Sequence, residues 1–286
     1  LDNDLRELFK SWFNPGFLKL AKITWDTKAA VLEKIIQYER VHKIKDMNEL
    51  KRRLGEDRRF FSYFHPALDD EPIIFVQVAL TNGLGKSIQE IMKPSAEGAK
   101  KYDTATFYSI SNCQEGLSRV TLGNFLIKRV VYEIQEELPN IKNFGTLSPI
   151  PGFRDWFTTL DEKIIQNILG KIPYSNVSFL KSTDLKVGDG RIVSNKHAII
   201  KLVAHYLMNE KNKKGLPIND VCRFHLGNGA IIDDININAN VSEVGLNRSF
   251  GVMVNYLYEL KNIEKNHEDY INNKKIIISD QLKKKL

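Results

Sequence analysis

The stretch from Thr104 to Ser148 constrains the fold more than any other part of this 286-residue chain. Thr104–Ser111 is rich in β-branched and aromatic residues and predicts a strand. Leu122–Leu138 follows, with Phe125, Leu126, Val130, Val131 and Ile134 spaced to line one face of a helix. Pro139 closes it, because a proline lacks the N–H that a further turn would need. Asn143–Ser148 predicts the next strand. Strand, loop, long helix and strand in that order form a βαβ unit, with a phosphate-sized gap at the helix start where backbone N–H groups are free.

The flanks extend this α/β reading. Val31, Leu32, Ile35 and Ile36 make an apolar helical stripe, and Asp46 with Glu49 resembles a capping box for a short helix that Gly55 would end. Residues 1–57 therefore predict a helical lead-in without visible chemistry. Phe60–Phe64 and Ile73–Leu80, joined through the turn Asp69–Pro72, predict a buried hairpin. Beyond the βαβ unit, Ile150–Leu160 predicts a short helix opened by Pro151. Asp161–Gly170 and Asn195–Lys211 predict helices around a polar loop, an apparent insertion near 160–216. Ala230–Asn238 and Phe250–Leu260 predict strands, and there are no repeats.

Composition narrows the function classes. A hydrophobic share of 42% argues against disorder, and no apolar run reaches the ~18 residues of a membrane span. Cys113 and Cys222 can build neither a disulfide framework nor a zinc site, which fits a reducing compartment. The surplus of 42 basic over 35 acidic residues, +7, suits an anionic partner. Much of it lies in Asn209–Lys214 and Asn272–Lys285, which read as a solvated loop and tail. The chain opens on Leu1 and has no signal-peptide core, consistent with a fragment or processed form in the cytoplasm.

Three local patterns could carry chemistry. Leu122–Gly123–Asn124, with Thr121 as a candidate cap, opens the long helix, where either a plain cap or an anion site fits. Leu147–Phe153, LSPIPGF, would hold Ser148 firmly between a strand and two prolines. It is not the G-x-S-x-G of a nucleophile elbow, and a helix-capping serine fits it as well. Phe224–Ala230, FHLGNGA, sets His225 before a strand, with glycines that allow close backbone approach to a ligand. The other histidines have no metal-ligand spacing, so no metal site is expected.

Taken in order, FYSIS at Phe107–Ser111, GLSRVTLGNFLIKRVV at Gly116–Val131, LSPIPGF at Leu147–Phe153, FHLGNGA at Phe224–Ala230 and NYLY at Asn255–Tyr258 resemble the catalytic part of the malonyl-CoA decarboxylases. WFNPGFL at Trp12–Leu18 is more loosely similar to the junction with that family's helical domain. The resemblance implies a fold like that of the GNAT acyltransferases, a splayed mixed sheet preceded by helices, with a catalytic domain over 58–286. It implies Ser148 and His225 as the catalytic pair and Ser109 and Tyr258 as supporting polar groups. Acyl-CoA contacts fall to Ser118, Arg119, Val120, Thr121, Leu122, Gly123 and Asn124. Malonyl-CoA and acetyl-CoA as ligands, a place in fatty acid metabolism and a homo-oligomer are implied too. No nucleic-acid or membrane partner is expected.

The chemistry stands beside the resemblance. Losing CO2 from a malonyl thioester leaves an enolate, so a site must desolvate the carboxylate, stabilise an oxyanion and protonate C2. The thioester carbonyl is already the electron sink, so no cofactor is required. His225 suits the proton donor because imidazole titrates near neutral pH, and Ser148 suits the group that binds the carboxylate or His225. Two alternatives remain at this stage: a GNAT-type acyltransferase passing the acyl group to an amine, and a non-enzymatic CoA- or nucleic-acid-binding module.

Overall fold

The apolar stripe of the lead-in is buried. In a computed structural model, which describes residues 4, 8, 11–93, 102–114, 116, 123–182, 185–186 and 188–286, helix α1 (Ala29–Tyr38) turns Val31, Leu32 and Ile35 inward. They join Leu50 of α2 (Met47–Arg53) and Phe60 and Phe75 of the neighbouring strands in one cluster. Ile35 has no exposed surface, so truncating it to Ala would cost about 2–5 kcal/mol. Asp46 caps α2 by accepting from the Glu49 N–H at 2.8 Å, as the capping pattern predicts.

The chain divides into two compact units, residues 1–83 with 92–144, and residues 84–91 with 145–286. The first carries strands β1 (Lys19–Lys22), β2 (Arg58–Phe64), β3 (Pro72–Thr81) and β4 (Thr104–Asn112). They pair antiparallel in sequence order, with Lys19 opposite Phe64, Arg58 opposite Ala79 and Thr81 opposite Thr104. The predicted hairpin is β2–β3. Strand β1 was not expected: Lys-Leu-Ala-Lys has neither the length nor the branched residues of a strand, and it is extended because β2 offers it backbone partners. Residues 1–57 thus contain a strand as well as helices.

The second unit is organised around β8 (Met253–Leu257). It pairs antiparallel with β6 (Ser148–Pro149), with β7 (Ile231–Asn236), and with β5 (Asn143–Thr146) through Gly145 opposite Leu257. Helix α3 (Ile88–Met92) lies early in the chain. After α4 (Gly123–Glu137), the predicted amphipathic helix, come α5 (Phe153–Thr159), α6 (Glu162–Leu169), α7 (Gly190–Ser194) and α8 (Lys196–Met208). Ile199, Leu202, Val203 and Leu207 of α8 are buried, so the segment read as an insertion contributes core. Three more helices precede and follow the last strands: α9 (Asp220–Gly227), α10 (Glu243–Ser249) and α11 (Ile263–Asn273).

The C-terminal lysine-rich segment is a correction to the sequence reading, since it is docked rather than solvated. Ile232 N–H donates to the Ile277 carbonyl and Ser279 N–H to the Ile232 carbonyl, so the tail runs along β7. In α12 (Asp280–Lys283) Leu282 is fully buried. Lys285 pairs with Asp234, and Gln281 donates to the Asp233 carboxylate at 2.6 Å. Lys275, Lys283 and Lys285 pair their ammonium groups with Asp269, Asp280 and Asp234 while Leu282 is buried, a division that net charge alone hides.

Candidate active site

His225 belongs to a helix that the sequence reading missed. Asn219 caps α9 by accepting from the Cys222 N–H at 2.8 Å, and its amide donates to the Pro151 carbonyl at 2.9 Å. Tyr206 Oη donates to the same carbonyl at 3.0 Å. The exit of the LSPIPGF segment is therefore tied to the start of the helix that carries His225. Gly152 has φ of 78° and opens α5 from the left-handed region, which explains a glycine after Pro151.

Gly229, four residues after His225, serves packing within the chain. Gly229 has φ of 79°, and a Cβ there would run into the Ile263 carbonyl oxygen at the start of α11. The close approach expected for a ligand is made by the protein's own backbone. Gly227 ends α9, and Asn228 N–H and Ala230 N–H both donate to the His225 carbonyl at 3.1 Å.

Ser148 and His225, 77 residues apart in sequence, meet at 3.0 Å between Oγ and Nε2. Ser148 opens β6 opposite Val254 and also donates to Thr146 Oγ1 at 2.8 Å. On the other side of the ring, His225 Nδ1 lies 2.7 Å from Tyr258 Oη. The imidazole stacks on the Tyr256 ring with centroids 4.5 Å apart at 27°. Tyr256 and Tyr258 both reach it because residues two apart at the end of a strand share a face. Below this layer, Asn255 donates to the Thr146 carbonyl at 2.6 Å and to the Gly85 carbonyl at 2.9 Å, and accepts from the Asn236 amide at 2.6 Å.

Burial sets the electrostatics. His225 sits in the last turn of α9, where the helix dipole favours a positive charge by about 0.3–1 kcal/mol. Desolvation outweighs this and pushes its pKa from the usual 6.5 down to about 3. The imidazole is therefore neutral throughout the physiological range, a correction to the near-neutral titration expected from sequence. Burial likewise raises the Tyr258 phenol well above 10, so this group holds its proton.

The other expected site residues are placed as follows. Ser109 lies on β4 in the first unit, where its hydroxyl donates to the buried Glu39 carboxylate at 2.8 and 3.0 Å. It is not brought into the Ser148, His225 and Tyr258 chain. Ser118, Arg119, Val120, Thr121 and Leu122 lie outside the described residues, while Gly123 and Asn124 open α4. Among the described residues no group of three or more His, Cys, Asp or Glu could hold a metal ion, and no helix is long and apolar enough to cross a membrane. Thr146, Asn255 and Tyr256 were missed. The signal for Thr146 was available, because it stands two residues before Ser148 in a strand.

Comparison with known proteins gives a consistent result. The family model described as "Malonyl-CoA decarboxylase C-terminal domain" matches residues 16–286. Mitochondrial malonyl-CoA decarboxylases of Anser anser anser and Rattus norvegicus are 38% and 37% identical over 97% of the chain. The chain spans 59% and 61% of their lengths, about three-fifths of the curated relatives it matches. The crystal structure of malonyl-CoA decarboxylase from Agrobacterium vitis is 40% identical, with a TM-score of 0.89, covering 99% of this chain and 70% of that one. The corresponding structure from Rhodopseudomonas palustris is 42% identical with a TM-score of 0.85 over 99% and 70%. The loading GNATL domain of CurA from Lyngbya majuscula, at 11% identity and a TM-score of 0.52 over 86% of this chain and 98% of that one, shares the fold.

Proposed function

The chain belongs to the malonyl-CoA decarboxylase family, and from that premise we propose that it converts malonyl-CoA to acetyl-CoA and CO2, with Ser148 and His225 as the catalytic pair and Tyr258 in support. The observation that carries the reading is the buried chain from Ser148 Oγ through His225 to Tyr258 Oη, with contacts of 3.0 and 2.7 Å.

In this reading the C2–carboxylate bond breaks, its electron pair moves into the thioester carbonyl as an enolate, and CO2 leaves. The enolate then takes a proton at C2 from His225 Nε2. Nδ1 receives the Tyr258 proton in the same event, which avoids a negative imidazole ring. The Nδ1 proton then returns to the phenolate as Nε2 takes up a proton from water, which restores the starting chain, so one proton is consumed per CO2 released. A dry site favours the first step, since a carboxylate stripped of water gains by leaving as neutral CO2. Ser148 holds the carboxylate through its hydroxyl, a charge-assisted bond stronger than one between neutral groups.

The thioester supplies the electron sink, so neither a metal nor an organic cofactor enters the proposed scheme. The resemblance assigns acyl-CoA contacts to Ser118–Asn124, and these remain part of the proposal, as do a homo-oligomeric state and a cytoplasmic location. No single observation favours transfer to an amine, because the GNAT-like neighbour shares only the fold. Incubation with malonyl-CoA in the absence of any acyl acceptor separates the two reactions.

A further inference from the structure

Ser148 carries one hydrogen, and its destination decides the protonation of the ring beside it. Its hydroxyl donates to Thr146 Oγ1 at 2.8 Å, so the 3.0 Å contact with His225 must be made by a hydrogen on Nε2. A neutral imidazole with its hydrogen on Nε2 has a bare Nδ1, which accepts from Tyr258 Oη at 2.7 Å. One directional bond at Thr146 thus orders the whole chain: Tyr258 to Nδ1, Nε2 to Ser148, and Ser148 to Thr146.

Thr146 is built for this task. It has no exposed surface, and its carbonyl accepts from Asn255 Nδ2 at 2.6 Å. Its Oγ1 also accepts from the Tyr256 N–H at 3.2 Å, which orients the oxygen toward Ser148. A β-branched side chain adds a stiff χ1, so Oγ1 is fixed by backbone and rotamer together.

We propose that Thr146 is a positioning residue that fixes the tautomer of His225, by accepting the Ser148 hydrogen and so keeping the imidazole hydrogen on Nε2, where it faces the reacting carbon. The proposal rests on the reading of His225 as proton donor. The tautomer is thereby set before substrate binds: the substrate carboxylate then takes the Ser148 hydrogen from the neutral Thr146 hydroxyl, Nε2 keeps its own for C2, and a ring caught with its hydrogen on Nδ1 would have to move that proton inside the closed site before it could donate. Without the Thr146 hydroxyl, the Ser148 hydrogen would turn to Nε2, driving the ring to the Nδ1–H tautomer that has nothing to donate at the reacting carbon.

The test is 15N NMR of the full chain labelled at histidine, read together with steady-state kinetics, on wild type, Thr146→Val and Thr146→Ser. The expected result is Nε2–H for His225 in wild type and Thr146→Ser, and Nδ1–H in Thr146→Val. Thr146→Val should lose about 10–100-fold in kcat with KM changed less than about threefold, and Thr146→Ser should stay within about threefold of wild type in both. A wild-type ring with its hydrogen on Nδ1 overturns the proposal outright, even if Thr146→Val fails to fold. So does a folded Thr146→Val that keeps the Nε2–H signature and full activity. If wild type shows Nε2–H but does not release CO2 from malonyl-CoA, the functional reading fails while the tautomer assignment stands.

Discussion

Tyr258 Oη lies 2.7 Å from His225 Nδ1, and the two groups are buried together. Neither carries charge at neutral pH, since burial holds the imidazole pKa down to about 3 and the phenol well above its usual value. The pair therefore stores a proton in a neutral chain, and a proton taken from Nε2 can be replaced at Nδ1 without leaving a charged ring.

Removing the phenolic hydroxyl should break that replacement. Tyr258→Phe is expected to lower kcat about 10–100-fold while changing KM less than about threefold, because the interaction matters only as the enolate is protonated. Steady-state kinetics on folded variant protein checks this. A parallel rise in KM with unchanged kcat would make Tyr258 a binding group instead.

The neutral imidazole has two pH signatures. His225 binds no proton in the folded state above about pH 3, whereas the unfolded chain binds one below about pH 6.5, so folding stability is full above 6.5 and falls as pH drops toward 3. The slope from this one group is about 1.4 kcal/mol per pH unit within that window. Denaturant titrations at several pH values should give a shallower slope for His225→Asn than for wild type. In kinetics, kcat should show no inflection near pH 6.5 assignable to His225.

The docked tail gives a stability prediction. Leu282→Ala should cost about 2–5 kcal/mol, equivalent to a fall in Tm of about 3–8 °C for a chain of this size. Thermal denaturation decides it. A change below about 1 °C would return the tail to the solvated state that its lysines suggest.

A substitution at Gly229 tests whether this glycine of FHLGNGA serves packing. Gly229→Ala forces a Cβ against the Ile263 carbonyl at a left-handed φ and should destabilise the protein by at least ~2 kcal/mol. A glycine kept for ligand approach would instead give normal stability and a raised KM.

Much of the fold was legible because its signals are local. The α4 stripe, the β2–β3 hairpin and the Asp46 cap each rest on residues within a few turns of one another. Strand β1 was hidden because its extended form comes from pairing with Phe61–Phe64. Helix α9 was hidden because Asp220–Gly227 is short and ends in glycine, with a weak apolar stripe. At the site, family-like blocks marked Ser148, His225 and Tyr258, whose meeting the structure records. Thr146 and Asn255 escaped because their hydrogen bonds depend on strand register across β5 and β8, and Ser109, expected as a supporting polar group, donates its hydroxyl to Glu39.

The central claim is decarboxylation by the Ser148 and His225 pair, and the most direct measurement is acceptor-free incubation of the chain with malonyl-CoA, following acetyl-CoA and CO2 together. Wild type is expected to release the two in equal amounts, with Ser148→Ala and His225→Asn each lower by about 100- to 10,000-fold in kcat, and the double variant no worse than about the poorer single one. No CO2 from the wild-type chain, or acyl-CoA consumption only when an amine is added, would contradict the account. So would a folded His225→Asn with full activity.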